Sequence, residues 1–284
     1  MTLFVFSRPH KTKNVTLNDV VGVRRPLGAV TRGTTAPGRL RRADRWLLAN
    51  WPSLRSAARP LVVDLGFGAS PVTTYDLAAR LRRVNPSVRV VGLDVDPARV
   101  AAARAEPPPA GLPVEFAVGG FELAGLRPDV VRAFNVLRQY PAGEVEKWWA
   151  EMTGRLAPGG FVLDGTCDES RRLASWVRLT ASGPQSLTLA VDLSGSPGLV
   201  AARLPKLLIS RNVDGEPVHR LLRALDDGWA RLAWRSVFGP RQRFAAVVEE
   251  LRAAGWPIAD GPARWRRGEV TVAWTAIAPG LSIG

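Results

Sequence analysis

One cysteine, two histidines and four lysines stand in a chain of 284 residues. The lone Cys167 excludes a disulfide framework and a cysteine metal site, and makes a reducing cytoplasm the default compartment. His10 and His219 are too few for an ordinary zinc centre and argue against a Ser-His-Asp hydrolase, so no metal is expected. No apolar run approaches the roughly 20 residues that span a bilayer, so no membrane partner is expected. Residues 1–7 are partly apolar but lack a charged region before them and a cleavage site, so a secretory signal is not expected either.

What is present is ordinary for a folded domain: 46% apolar and 23% charged residues. The net charge of +14 is unevenly spread, with +10 on residues 1–59, −1 on 60–166 and +5 on 167–284. An N-terminal arm of that charge suits an anionic partner, RNA or an acidic substrate. The excess of arginine over lysine, alongside many alanines, glycines and prolines, is equally what a GC-rich genome produces.

Residues 1–33 show no periodicity and read as an irregular arm. A helix follows, with Thr34 or Thr35 as its cap, Pro37 in its first turn and Leu40, Ala43 and Leu47 on its apolar face. Arg39, Arg41, Arg42 and Arg45 form the other face, either solvated or a lid over a ligand. Strands are then expected at 61–65, 88–93, 114–118, 130–136 and 161–164, with helices at 72–84 and 98–105 and another reaching Leu156. This alternation predicts an α/β fold with a doubly wound, Rossmann-like, mostly parallel sheet. Beyond Cys167 the pattern changes to a β-hairpin at 173–180 and 186–192, helices at 198–208, 217–238 and 241–254, and a strand at 270–277. The organisation expected is a basic arm and capping helix over 1–59 and a main domain over 60–284. Within it, 168–240 forms a substrate-side insertion over the mouth of the sheet, whose hairpin would serve a homodimer interface equally well.

Ligands of open α/β sheets bind beyond the carboxyl ends of the strands. Val63-Asp64-Leu65-Gly66-Phe67-Gly68 closes the first strand, and its glycines let a ligand approach the backbone. Val91-Gly92-Leu93-Asp94 closes the second, where a carboxylate can bind a ribose diol. Gly119-Gly120-Phe121 closes the third and Asn135-Val136-Leu137 follows the fourth. A dinucleotide would want a glycine where Pro71 stands, and Asp64 would repel its pyrophosphate.

Together with Leu156-Ala157-Pro158-Gly159-Gly160-Phe161, these motifs resemble the class I S-adenosylmethionine-dependent methyltransferases over residues 60–165. The resemblance implies S-adenosylmethionine as cofactor and S-adenosylhomocysteine as product. It implies Gly66, Phe67 and Gly68 at the methionine part with Asp64 nearby, and Asp94 on the ribose. Val95 and Phe121 would lie against adenine, and Asn135 and Val136 beside the sulfonium. Two departures are Ser70 where a third glycine is frequent and Gly120 where an acidic residue is frequent. The second leaves the adenine contact to backbone around Gly120 and Phe121, or to Glu122. Plainer roles stand beside these: Asp94 as a helix cap, Phe121 as core, Trp148 and Trp149 as packing, and Asn135 as partner of a backbone group.

The activity expected is transfer of a methyl group, by in-line displacement, to a small or medium-sized acceptor, an anionic one being favoured by Arg138. Arg138, Gln139, Tyr140 and His219 are the substrate-side candidates, and no catalytic base is assigned among them. The alternatives are an RNA methyltransferase that uses the basic arm and a non-catalytic S-adenosylmethionine-binding protein.

Overall fold

The computed structural model describes residues 25–109 and 112–278, so the first 24 residues of the basic arm lie outside the described residues. Five strands form a parallel half-sheet: β1 Leu61–Leu65, β2 Arg89–Asp94, β3 Glu115–Val118, β4 Val130–Phe134 and β5 Phe161–Cys167. Three more, β6 Ala174–Thr180, β7 Gly183–Ala190 and β8 Glu269–Ala273, continue it antiparallel. The order β3-β2-β1-β4-β5-β6-β7-β8 reverses direction between β1 and β4, which opens a crevice at their carboxyl ends.

The helices are α1 Arg41–Asn50, α2 Val72–Arg82, α3 Pro97–Ala105, α4 Val145–Thr153, α5 Lys206–Ile209, α6 Pro217–Arg231, α7 Pro240–Ala253 and α8 Pro262–Trp265. Alternate strand residues point to opposite faces, and both faces are covered. Val62, Val90 and Val130 pack with Leu47 of α1 and Leu77 and Leu81 of α2. Val63, Val91 and Val131 belong to a second core with Met152 of α4, Leu225 of α6 and Val247 of α7. Apolar runs buried on both sides are what make these central strands, and burial of each large aliphatic side chain stabilises the fold by about 1.5–3 kcal/mol.

The expectation for the hairpin needs correction. β6 and β7 do not cover the mouth of the sheet; they lie in its plane between β5 and β8. The reason is visible in β6, where Trp176 enters one core and Val177 the other, leaving no polar face for solvent. The C-terminal strand accordingly pairs with β7. The helix expected at 198–208 is a 3-10 segment, Pro197–Arg203, followed after Pro205 by the short α5, because proline cannot continue the helical ladder. The helix expected at 217–238 ends at Arg231, and a 3-10 turn at Ala233–Phe238 completes that stretch. Among the described residues no helix is long and apolar enough to cross a membrane.

Candidate functional site

The turn after β1 adopts a backbone that favours glycine, with φ of 70° at Gly66 and 87° at Gly68. The Gly66 N–H donates to the Leu93 carbonyl at 2.7 Å, which ties the turn to the end of β2. Phe67 points inward and meets Phe116 edge-on at 5.1 Å, so its ring is structural. On β2, Asp94 accepts from the Gly68 N–H at 3.1 Å and from the Asp96 N–H at 3.0 Å, with Arg99 3.5 Å away. The cap of α3 is Asp96, which accepts from Ala98, and Asp94 is left to organise the crevice.

Asp64 borders the crevice, yet both its oxygens are committed inward. Arg132 holds them at 2.9 and 2.7 Å, and Thr74 donates to one at 2.7 Å. Arg132 also reaches Asp44 of α1 at 2.5 Å, and Arg80 of α2 reaches the other Asp44 oxygen at 2.7 Å. Burial opposes the charge on Arg132, but Asp64 and Asp44 together hold its pKa above the ordinary arginine value. This network, the floor of the site, was not anticipated.

Above it lies a cavity of about 600 Å³. Of the residues singled out in the sequence, Asp64, Gly66, Phe67, Gly68, Asn135, Arg138 and Gln139 line it, and so do Thr31–Thr35, Arg39, Cys167, Glu169 and Arg203. Asn135 has φ of 61°, its Oδ1 accepts from the Cys167 N–H at 3.0 Å, and its Nδ2 lies 3.3 Å from Cys167 Sγ. The Arg138 Nη1 is buried without a hydrogen-bond partner among the described residues, as is the Arg39 Nε. Burial, and then the like charge of Arg203, lower the Arg138 pKa.

A second, much tighter space of about 20 Å³ is lined by Asp94, Val95, Gly120, Phe121, Val136 and Tyr140 together with Leu27, Ala29 and Thr31. Phe121 is buried and stacked on Trp148 at 4.5 Å, so its ring is core. Residues 27–33 cross this space as a strap. The Phe121 N–H donates to the Leu27 carbonyl at 2.9 Å, the Leu27 N–H to Glu122 at 2.7 Å, and the Ala69 N–H to the Gly33 carbonyl at 2.9 Å. The Tyr140 hydroxyl accepts from the Ala29 N–H at 2.6 Å, and burial raises its pKa.

Two expectations fail here. His219, at the start of α6, pairs with Asn212 at 3.1 Å and Asp214 at 2.9 Å and lines neither space. Thr34 and Thr35 border the cavity and cap nothing; α1 begins at Arg41 without a side-chain cap. Of the four arginines read as one helix face, Arg39 enters the cavity, and Arg42 is drawn inward to Glu269 and to backbone carbonyls including Val191 and Gly268. Among the described residues no cluster of His, Cys, Asp and Glu could hold a metal.

No protein-family model matches the chain. A trans-aconitate 2-methyltransferase of Methylobacterium radiotolerans is 31% identical over 205 residues, which are 69% of this chain and 68% of that protein. Magnesium protoporphyrin IX methyltransferase from Synechocystis PCC 6803, solved with bound S-adenosylhomocysteine, aligns at a TM-score of 0.36 and 21% identity, over 44% of this chain and 53% of that one. Human N-acetylserotonin methyltransferase in complex with S-adenosylmethionine aligns at 0.34 and 24%, over 45% and 35%. The chain thus spans about half or less of these two solved proteins.

Proposed function

Because the chain belongs to the S-adenosylmethionine-dependent methyltransferases, we propose that it methylates a small carboxylate, with arginines of the larger cavity, which Arg32, Arg39, Arg138 and Arg203 line, holding the acceptor. The observation that carries this reading is Arg138, whose half-buried guanidinium has a buried Nη1 without a hydrogen-bond partner among the described residues and feels the like charge of Arg203. An anionic acceptor would give that Nη1 a charged partner, and planar guanidinium matches carboxylate geometry. The name of the relative, a trans-aconitate methyltransferase, points the same way.

The residues fit the cofactor. The Gly66–Gly68 turn borders the larger cavity, Asp94 lines the smaller space, and the Phe121 N–H and Glu122 carboxylate, both bonded to Leu27 in this structure, are a donor and an acceptor that a nucleoside would use once Leu27 leaves them. When bound, S-adenosylmethionine supplies an electrophilic methyl group. The chain's own contribution is to position the acceptor and exclude water. Alignment of reacting atoms at about 3–3.5 Å accounts for most of what such a site can do. A carboxylate, ionised at neutral pH, needs no base, and no histidine lines either space among the described residues.

The test is methyl transfer from radiolabelled cofactor to a panel of di- and tricarboxylates, their amides and total RNA. Label is expected in the carboxylates, in a form released by mild alkali as esters are. Alkali-stable label in RNA would replace this reading with the one based on the basic arm. Arg138→Ala is expected to raise KM for the acceptor about 10- to 100-fold, the loss of one or two charge-assisted hydrogen bonds, while S-adenosylhomocysteine binds as before.

A further inference from the structure

The backbone N–H and carbonyl of Leu27 engage the groups that the methyl-donor reading gives to a nucleobase edge. Its N–H donates to a Glu122 oxygen at 2.7 Å and its carbonyl accepts from the Phe121 N–H at 2.9 Å. Adenine presents the same pair on one edge, an exocyclic amine that donates beside a ring nitrogen that accepts. We propose that the backbone of Leu27 is an internal stand-in for adenine, so that residues 27–31 and the nucleoside of the cofactor compete for one donor–acceptor pair. The proposal rests on the methyl-donor reading above and adds a regulated entry to that site.

Three further observations support it. The space left beside Asp94, Val95 and Gly120 is only about 20 Å³, too small for a nucleoside while the strap is in place. A Cβ on Gly120 would lie 1.9 Å from the Leu27 carbonyl oxygen, so the glycine at this position is what admits the strap. The carboxylate that closes the pair stands two residues later, at Glu122, where its other oxygen accepts from the Gly120 N–H at 2.8 Å. The strap is also built to leave. Leu27 and Val30 are 40% and 59% exposed, so polar backbone bonds, not buried apolar side chains, hold it down. Segments held in that way open at low free-energy cost.

Hydrogen exchange on the full chain tests this directly. Binding of S-adenosylhomocysteine, and of adenosine alone, is expected to speed exchange of the Leu27 and Ala29 amides, whereas methionine leaves them unchanged. Two variants outside the donor–acceptor pair report on affinity. Leu27→Pro removes the donor to Glu122, and Gly28→Val places a side chain against the Tyr140 hydroxyl at a residue whose φ is 128°. Calorimetry is expected to show both binding S-adenosylhomocysteine about tenfold tighter than the unaltered protein, because the competing conformation is weakened. Slower exchange at Leu27 and Ala29 on ligand binding, or affinity unchanged in both variants, overturns the proposal and leaves the methyl-donor reading standing. Absence of binding by the unaltered protein and both variants overturns the methyl-donor reading itself, and the proposal with it. The exchange measurement needs no variant, so it decides even where a substitution disturbs folding.

Discussion

Arg132 of β4 and Asp64 of β1 lie directly opposite one another in the parallel register and meet through two bonds, Nε to Oδ1 at 2.9 Å and Nη2 to Oδ2 at 2.7 Å. Both are buried, and the same guanidinium bonds Asp44 of α1 and the Thr73 carbonyl of α2. One side chain therefore joins the sheet, the capping helix and the helix after the glycine turn. The turn that borders the cavity is held from beneath by charge.

Breaking that junction should be costly. Arg132→Leu leaves two carboxylates facing each other in a dry interior with only Arg80 as counter-ion, and removal of one partner from a buried ion pair destabilises by about 3–5 kcal/mol. Urea denaturation followed by circular dichroism is expected to show a loss of that size. Arg80→Ala, at a side chain 20% exposed, is expected to cost less. A loss below about 1 kcal/mol for Arg132→Leu would show that water reaches the carboxylates.

A second buried acid gives a pH signature. Asp164 of β5 has one hydrogen bond, from Trp149 Nε1 at 2.9 Å, and burial pushes its pKa up to about 7. In the unfolded chain an aspartate titrates near 4. Between those values the unfolded state binds fewer protons than the folded one, so this group's contribution to stability falls as pH rises from about 4 to 7 and is constant above. The change is at most roughly 4 kcal/mol at 1.36 kcal/mol per pH unit. Asp164→Asn keeps an acceptor for Trp149 and removes the titration. Its stability relative to the unaltered protein is expected to rise across that window, and parallel stability curves would refute the assignment.

The parts of this architecture that were legible in the sequence are local. Gly66 and Gly68 between an apolar strand and a helix, and Asp94 at the end of the next strand, announce a turn and a carboxylate within a few residues of each other. Arg132 was not legible, because its partners Asp64 and Asp44 lie 68 and 88 residues away and nothing in an isolated strand marks an arginine as interior. The hairpin was legible as a hairpin, but its place in the sheet depended on Trp176 and Val177 filling opposite cores. The strap was invisible for a different reason. Its contacts to Phe121, Glu122 and Ala69 are made by its own backbone groups, which every residue carries.

Asn135 combines a backbone role with a side-chain one, and the two can be separated. Its φ of 61° favours asparagine or glycine, and its Oδ1 satisfies the buried Cys167 N–H. Asn135→Gly keeps the backbone and loses the bond, at an expected cost of about 1–3 kcal/mol. Asn135→Ala loses the bond and adds strain of about 1–2 kcal/mol. Thermal unfolding of the pair is expected to place the alanine variant below the glycine variant by about that strain. Equal midpoints would show that the turn relaxes out of the left-handed region.

The same site predicts how the reaction responds to pH. A carboxylate acceptor is ionised well above pH 5 and the arginines around it keep their charge. The Tyr140 hydroxyl, raised further by burial, does not ionise near neutrality. His219 faces Asn212 and Asp214 away from both spaces. Among the described residues this reading gives turnover no group that must change protonation between pH 6 and 8, and kcat/KM is expected to stay within about twofold across that range. Two complications act through stability: Asp164, which titrates near pH 7, and Asp260, whose pKa burial pushes up to about 6. Measuring the profile in the double variant Asp164→Asn/Asp260→Asn removes both. An inflection near pH 7 that disappears in this variant belongs to the fold. One that persists there belongs to a catalytic base, and would overturn the reading that the acceptor arrives already ionised.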